Sequence, residues 1–168
     1  VNSAHRIKVA ADGSVTMPAQ SNAGVNMTLQ SNVATTGTVL TFGSERFDQG
    51  TDFNATSSNA TLNGVTVGAY NFSAPVTGKY LVCVNLYMGN VDQAADYYQM
   101  GIKSANKTYY HTWDPGGLSS DPVDWQVAWS GVIDMDANDY VYFDINQSGG
   151  TAQTDYFADS YASVTLLN

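Results

Sequence analysis

The sequence predicts an all-β fold, an antiparallel sandwich of about ten strands preceded by a short β-hairpin. Three observations carry this. Charged residues make up only 12% of the 168-residue chain, against about 25% in an average domain, so amphipathic helices built from Glu, Lys and Arg have too little material. Apolar residues alternate with polar ones at a period of two, and no segment shows the 3.6-residue period of a helix. Turn chemistry rich in Gly, Asn, Asp and Ser recurs at the spacing of short antiparallel strands. Among the sandwiches this spacing permits, a jelly roll fits best.

The elements follow in order. Arg6 to Pro18 reads as two short strands around Asp12-Gly13, a dipeptide that suits a tight hairpin. Val25, Met27 and Leu29 alternate with Asn26, Thr28 and Gln30 as a half-buried strand. Thr38 to Phe42 is a further strand, Glu45 to Phe53 a turn-rich segment, and residues 54–64 have the composition of a loop. Tyr70 to Met88 is the organising stretch, a hairpin with a Pro75–Gly78 turn whose second strand crosses the core. From Tyr80 on, Tyr80, Val82, Val84, Leu86 and Met88 share one face, and Leu81, Cys83, Asn85 and Tyr87 the other. Both faces are mostly apolar, so both need cover: a second sheet on one side, a loop or a neighbouring subunit on the other. Gly78 is expected to need a positive φ, so that Gly78→Val would destabilise the turn.

Beyond this hairpin, Tyr97 to Tyr110 reads as two strands joined at residues 104–107. Asp124 to Met135 places Trp125, Val127, Trp129, Gly131, Ile133 and Met135 on one face. Asp136-Ala137-Asn138-Asp139 turns the chain into Tyr140–Asn146, where Val141, Phe143 and Ile145 alternate with Tyr140, Tyr142 and Asp144. Tyr161 to Asn168 closes the fold. The expected organisation is a junction or stalk over residues 1–37 and a sandwich over residues 38–168.

Fifteen acidic and six basic side chains give a net charge of −9, which repels phosphate backbones and anionic lipid; nucleic acid and membrane surfaces are poor partners. No stretch approaches the roughly 20 apolar residues of a spanning helix, and no basic-then-apolar leader precedes the fold, so the chain reads as soluble. Val1 in place of Met leads us to expect residues upstream. Cys83 is alone and cannot form an internal disulfide. No nucleophile elbow, Cys/His cluster or phosphate-cradling loop is present, and the two histidines, His5 and His111, stand apart; catalysis is not expected. Asp134, Asp136 and Asp139 gather hard oxygen ligands in one turn, a candidate calcium site without the complete calcium-loop pattern. No cofactor is otherwise required.

The order of motifs is specific: Arg46-Phe47-Asp48, then Phe72-x-Ala74-Pro75-x-x-Gly78-x-Tyr80, then Ser130-Gly131-Val132-Ile133 with Met135-Asp-Ala-Asn-Asp-Tyr-Val-Tyr-Phe143, then Tyr161-Ala-Ser-Val-Thr-Leu-Leu167. This series resembles the globular head of complement component one-q and its tumour-necrosis-factor-like relatives over about residues 38 to 168. Asn138 stands where the family usually has Gly, and Asn tolerates the same left-handed backbone. The segment Arg6 to Pro18 resembles the junction ahead of such domains in bacteriophage tail-fibre and other virion proteins.

The resemblance implies a ten-strand jelly roll of two five-stranded sheets, a compact homotrimer at the end of a fibre, and a binding role without catalysis. It also implies calcium near a trimer axis, location on the virion exterior after synthesis in the host cytoplasm, and attachment to other virion proteins through the N-terminal segment. The expected partner is a host cell-surface glycan or protein, and the alternative is a decoration or filament subunit that only mediates assembly. Tyr87, Trp125, Tyr140 and Tyr142 are more aromatic surface than one sandwich needs and are the candidate trimer interface. In the connecting segments, Tyr110, His111, Trp113, Asp114 and Tyr156 combine flat apolar faces with hydrogen-bonding groups and are the candidate ligand contacts.

Overall fold

The computed structural model describes residues 7–17 and 20–167; His5 lies outside the described residues. Among these residues there is no helix. The strands are β1 (Lys8–Val9), β2 (Val15–Thr16), β3 (Asn22–Asn26), β4 (Thr38–Val39), β5 (Ser44–Asp48), β6 (Ala60–Leu62), β7 (Val65–Val67), β8 (Phe72–Ser73), β9 (Gly78–Gly89), β10 (Tyr97–Ser104), β11 (Thr108–Trp113), β12 (Trp125–Met135), β13 (Tyr140–Ser148), β14 (Asp155–Tyr156) and β15 (Tyr161–Leu166). Two antiparallel sheets face each other. One runs β12-β9-β15-β3-β5 with β14 attached to β9, the other β11-β10-β13-β4 with β8 attached to β13. The hairpins β1-β2 and β6-β7 stand outside both.

The core lies between the sheets. Tyr80, Val82, Val84, Leu86 and Met88 of β9 are at most 2% exposed and meet Tyr98, Met100 and Ile102 of β10 and Val141, Phe143 and Ile145 of β13, all at most 1%. The two family-like motifs form one unit here. Ala74 donates its N–H to the Asp139 carbonyl (2.8 Å) and accepts from Asn138 (2.7 Å), so the Phe72–Tyr80 segment and the 136–139 turn lock together. Phe72 meets Tyr80 edge-on at 5.7 Å, and the Tyr80 hydroxyl donates back to the Val76 carbonyl (2.7 Å). Asn138 has φ 76°, as the turn demands.

Five expectations need correction. Tyr70 to Met88 is not a hairpin: β8 pairs with β13 in one sheet, while β9 lies between β12 and β15 in the other, so the segment between them crosses from sheet to sheet. Gly78 is not a left-handed turn residue: it opens β9 opposite Met135 and is not among the positive-φ positions, so a β-branched side chain there meets no such backbone penalty. Residues 54–64 are not all loop, because Asn63 (φ 50°) and Gly64 (φ 84°) close the hairpin β6-β7. Ser44–Asp48, read as turn-rich, is an edge strand. The boundary at 37/38 does not divide the fold, since β3 lies between β15 and β5; the sandwich therefore includes residues from the low twenties on. The Asp12-Gly13 hairpin is present, with Gly13 at φ 84°.

Asp52 ties several of these pieces together. It is 1% exposed; its carboxylate accepts from the Ser21 hydroxyl and the Asn63 amide, both at 2.6 Å, and its carbonyl accepts from Ser73 N–H (2.8 Å). Burial holds its pKa above the ordinary carboxylate value, with Asp48 adding to the rise and the two hydrogen bonds opposing it. The folded chain therefore binds this proton more tightly than the unfolded chain. The stability Asp52 contributes is fully present below the unfolded pKa and is lost as pH rises through the folded one. Asp52→Asn should remove that loss: the unfolding free energy of the variant minus that of the wild type should rise as pH increases from the ordinary carboxylate pKa through the raised folded one. A difference that falls over this range contradicts the assignment.

Candidate functional site

Strand alternation decides where each candidate residue lies. On β11, Trp113, His111 and Tyr109 pair with the buried Tyr98, Met100 and Ile102 of β10, so these three β11 side chains point into the open edge of the sandwich, while Tyr110 points outward and is 54% exposed. Residues 111–113 are thus strand, not the start of a loop. Trp113 stacks on buried Tyr98 at 5.5 Å and 9°, and the His111 ring lies 5.7 Å from it. The Trp113 Nε1–H is shielded from solvent and has no acceptor among the described residues. Asp114 is exposed and accepts from Gly116 N–H (2.7 Å), opening the connection to β12.

Tyr156 is 1% exposed and cannot serve as a surface contact in this chain. β14 pairs with the end of β9, and Tyr156 and Gln30 exchange main-chain hydrogen bonds, which seats the ring in the core. The five candidate ligand residues therefore do not form one site: Tyr110 faces solvent, His111 and Trp113 face the sandwich edge, Asp114 turns a loop and Tyr156 is core.

The three candidate calcium ligands do not converge. Asp134 projects from β12 beside Lys79 (3.8 Å). Asp139 accepts from Asp136 N–H (2.9 Å) and from the Asn106 amide (2.6 Å), holding its own turn. Among the described residues, no group of three or more His, Cys, Asp or Glu side chains is disposed to hold a metal ion.

The four aromatic residues expected at a subunit interface fall in three places. Tyr87 is on the outer face of β9, its ring 4.9 Å from Phe157. Its hydroxyl donates to Asp124 (2.5 Å), and this bond raises the phenol pKa. Trp125 pairs with Met88 on the inward row of β12, half-buried against the core. Tyr140 and Tyr142, 6.0 Å apart, lie on the outer face of β13 in the other sheet.

Two surfaces emerge that sequence reading left unassembled. The first is the outer face of the sheet containing β9. Its central row, Ser130–Cys83–Ser163–Gly24, is set by register and consists of small side chains, with the Phe47 ring lying across Gly24. Around it stand Val132 (52% exposed), Phe47 (45%) and Tyr161 (40%), and a depression of about 260 Å³ is lined by Cys83, Asn85, Ala128, Trp129, Ser130 and Tyr161. The second is the sandwich edge, where Tyr109 of β11 meets Trp129 of β12 at 5.8 Å and Trp113 and Trp125 extend the row. The small residues are scattered in sequence, and only strand pairing makes them neighbours.

Trp113 is therefore an anchor of this edge. Trp113→Ala should lower the unfolding free energy by about 1 to 3 kcal/mol, less than the 3–5 of a fully buried indole, with a corresponding drop in melting temperature. A chemical denaturation curve superimposable on wild type would show that the ring adds nothing to the fold.

Solved structures with this architecture are found by shape. The globular domain of zebrafish complement 1qA matches with a TM-score of 0.61 and 14% identity, over 89% of this chain and 98% of that one. Murine APRIL at pH 8.5 matches with a TM-score of 0.56 and 10% identity, over 88% of this chain and 99% of that one; the pH 8.0 structure gives 0.57. No protein-family model matches this chain, and no curated protein matches it. With sheet order, motifs and shape in agreement, the chain has the jelly-roll fold seen in the complement one-q globular domain and its tumour-necrosis-factor-like relatives.

Proposed function

We propose that this chain is a non-enzymatic binding module that self-associates as a homotrimer and stands at the outer end of a virion fibre, where it engages a host-surface glycan or protein. The observation that carries the self-association is the outer face of β9, β12, β15 and β3. Its central row is small and low in relief, Val132, Phe47 and Tyr161 stand exposed around it among Asn85, Asn26 and Thr165, and Leu81 and Cys83 remain half-exposed on the twelve-residue β9. Exposed apolar side chains grouped around a row of small residues let another chain approach closely. The aromatic edge formed by Tyr109, Trp113, Trp125 and Trp129 offers the large side chains that such a platform lacks.

A contact between an edge and a face joins two different surfaces, so it either closes into a ring or propagates as a filament. The likeness to complement one-q heads favours a closed ring of three. The propagating contact is the physical form of the second reading, an assembly subunit with no receptor. The fibre-tip placement rests on the junction-like segment Arg6 to Pro18 and on the exposed Ile7, Val9 and Met17 of the hairpin region, which suit attachment to other virion proteins. The net charge of −9 supports a partner that is neither nucleic acid nor an anionic membrane.

Sedimentation equilibrium at micromolar concentration should report three times the 18.0 kDa of one chain. Ser163→Arg, in the middle of the small-residue row, should dissociate it to monomers with an unchanged far-ultraviolet spectrum. Attachment to host cells should weaken with dissociation, since three linked sites gain avidity that one lacks. A stable wild-type monomer removes the reading, and a series of ever larger species supports the filament instead.

A further inference from the structure

The outer face of the five-stranded sheet, opposite the face assigned to self-association, carries a different chemistry. Register places Tyr110, Gly101 and Asp144 in one row across β11, β10 and β13, with Val39 beyond; Thr108, Lys103 and Tyr142 in the next; and Thr112, Gln99 and Asn146 on the other side. Tyr110 is 54% exposed and Tyr140 41%, while Tyr142, Lys103, Asp144, Gln99 and Asn146 are half-buried. The two tyrosines Tyr110 and Tyr142 stand two strands apart, about 10 Å at the usual strand spacing.

Between them lies an ion pair held by a glycine. Lys103 Nζ is 3.3 Å from Asp144 Oδ2, donates toward the Tyr110 hydroxyl (3.4 Å) and lies 4.9 Å from the centre of its ring. A methyl group at Gly101 would run into the Asp144 carboxylate and the Lys103 stem, so glycine in mid-strand lets both side chains lie flat on the sheet. The result is a floor of polar groups over Gly101, with Tyr110 on the β11 side and Tyr142 on the β13 side. Gln99 uses one amide N–H on Thr112 (3.1 Å), and Asn146 faces it across the strand pair, adding amide donors and acceptors to the floor.

We infer that this face, centred on Gly101 and bounded by Tyr110 and Tyr142, is a binding site for a neutral saccharide. Flat rings stack on the C–H faces of sugar rings, and a fixed carboxylate, ammonium and amides supply the bidentate acceptors and donors that hydroxyl groups require. Charge selects among saccharides: Lys103 and Asp144 cancel each other, and the surrounding chain carries −9. The face thus offers no net attraction to a sialylated or sulfated glycan, and the rest of the molecule repels one. A protein partner would call for an apolar centre, whereas the centre of this face is an ion pair. The inference deepens the binding-module reading and rests on it, but it does not depend on the trimer.

The test uses the full chain on an array of immobilised neutral mono- to hexasaccharides of glucose, galactose and N-acetylglucosamine, with sialylated counterparts as anionic probes. The expected result is retention on at least one neutral saccharide, insensitive to salt between about 50 and about 500 mM. Half-saturation should shift by at least about tenfold for Tyr110→Ala and for Tyr142→Ala, with unchanged melting. If an alanine variant melts early, Gln99→Ala with Asn146→Ala provides the same readout from the polar side. No retention on any neutral probe, retention on sialylated probes alone, or variants that bind as wild type does would overturn the inference. Host attachment that survives both tyrosine substitutions would overturn it too, while leaving the binding-module reading in place.

Discussion

The structure depends on one constraint: β9 is a twelve-residue strand with two mostly apolar faces, and both need cover. Its inner face is satisfied within the chain. Tyr80, Val82, Val84, Leu86 and Met88 require an opposing sheet of matching length, and β10 and β13 supply it with a continuous buried row. Its outer face is not satisfied within the chain, apart from Tyr87, over which Phe157 folds. The paired strands β12 and β15 then determine what stands beside Leu81 and Cys83, and they bring Ser130, Ser163 and Val132. Burial on one side is the origin of the fold; exposure on the other is the origin of the assembly we propose.

The two outer faces of the sandwich divide the remaining work. On the β9 side, small residues with Val132, Phe47 and Tyr161 exposed around them suit protein packing, where close approach and exclusion of water stabilise contact. On the β13 side, tyrosines surround a neutralised ion pair and amides, a surface that water wets and that hydroxylated ligands can replace water on. Tyr140 and Tyr142 therefore do not serve the same surface as Tyr87, although sequence alone gave no reason to separate them. Burial raises the Asp144 pKa and Lys103 opposes the rise. A half-buried pair of this kind adds little net stability, because the desolvation of the two charges offsets their attraction.

Much of the fold was legible because alternation and turn chemistry report local geometry directly. The strands β9, β10, β12, β13 and β15, the Asp12-Gly13 hairpin and the left-handed Asn138 follow from residues read in place. What was missed has two causes. At Asn63-Gly64 the turn dipeptide was present, but residues 54–64 have the composition of a loop and Ala60–Leu62 was not paired with Val65–Val67, and Gly78 was read as a turn residue although its strand had begun. The candidate sites failed for a different reason. Period two tells which residues share a face of one strand, but the identity of the neighbouring strand and its register are long-range facts. Hence Tyr156 disappears into the core beside Gln30, whereas Tyr110, His111 and Trp113 separate onto two sides because β11 continues to Trp113 beyond the expected strand end at Tyr110. The likeness to zebrafish complement 1qA is likewise one of shape, with a TM-score of 0.61 at 14% identity.

The lone cysteine makes the central claim measurable. Cys83 lies on the outer face of β9, in the middle of the row that the assembly would cover, and is free. The measurement is the rate of native-state labelling of Cys83 by a bulky thiol reagent at micromolar protein and again after dilution below the dissociation range. The account predicts strong protection in the concentrated sample and a rate that rises on dilution while the fold, followed by far-ultraviolet dichroism, stays intact. Rapid labelling that is independent of concentration would mean that the outer face of β9 is open to solvent, and the assembly argued from it would not exist.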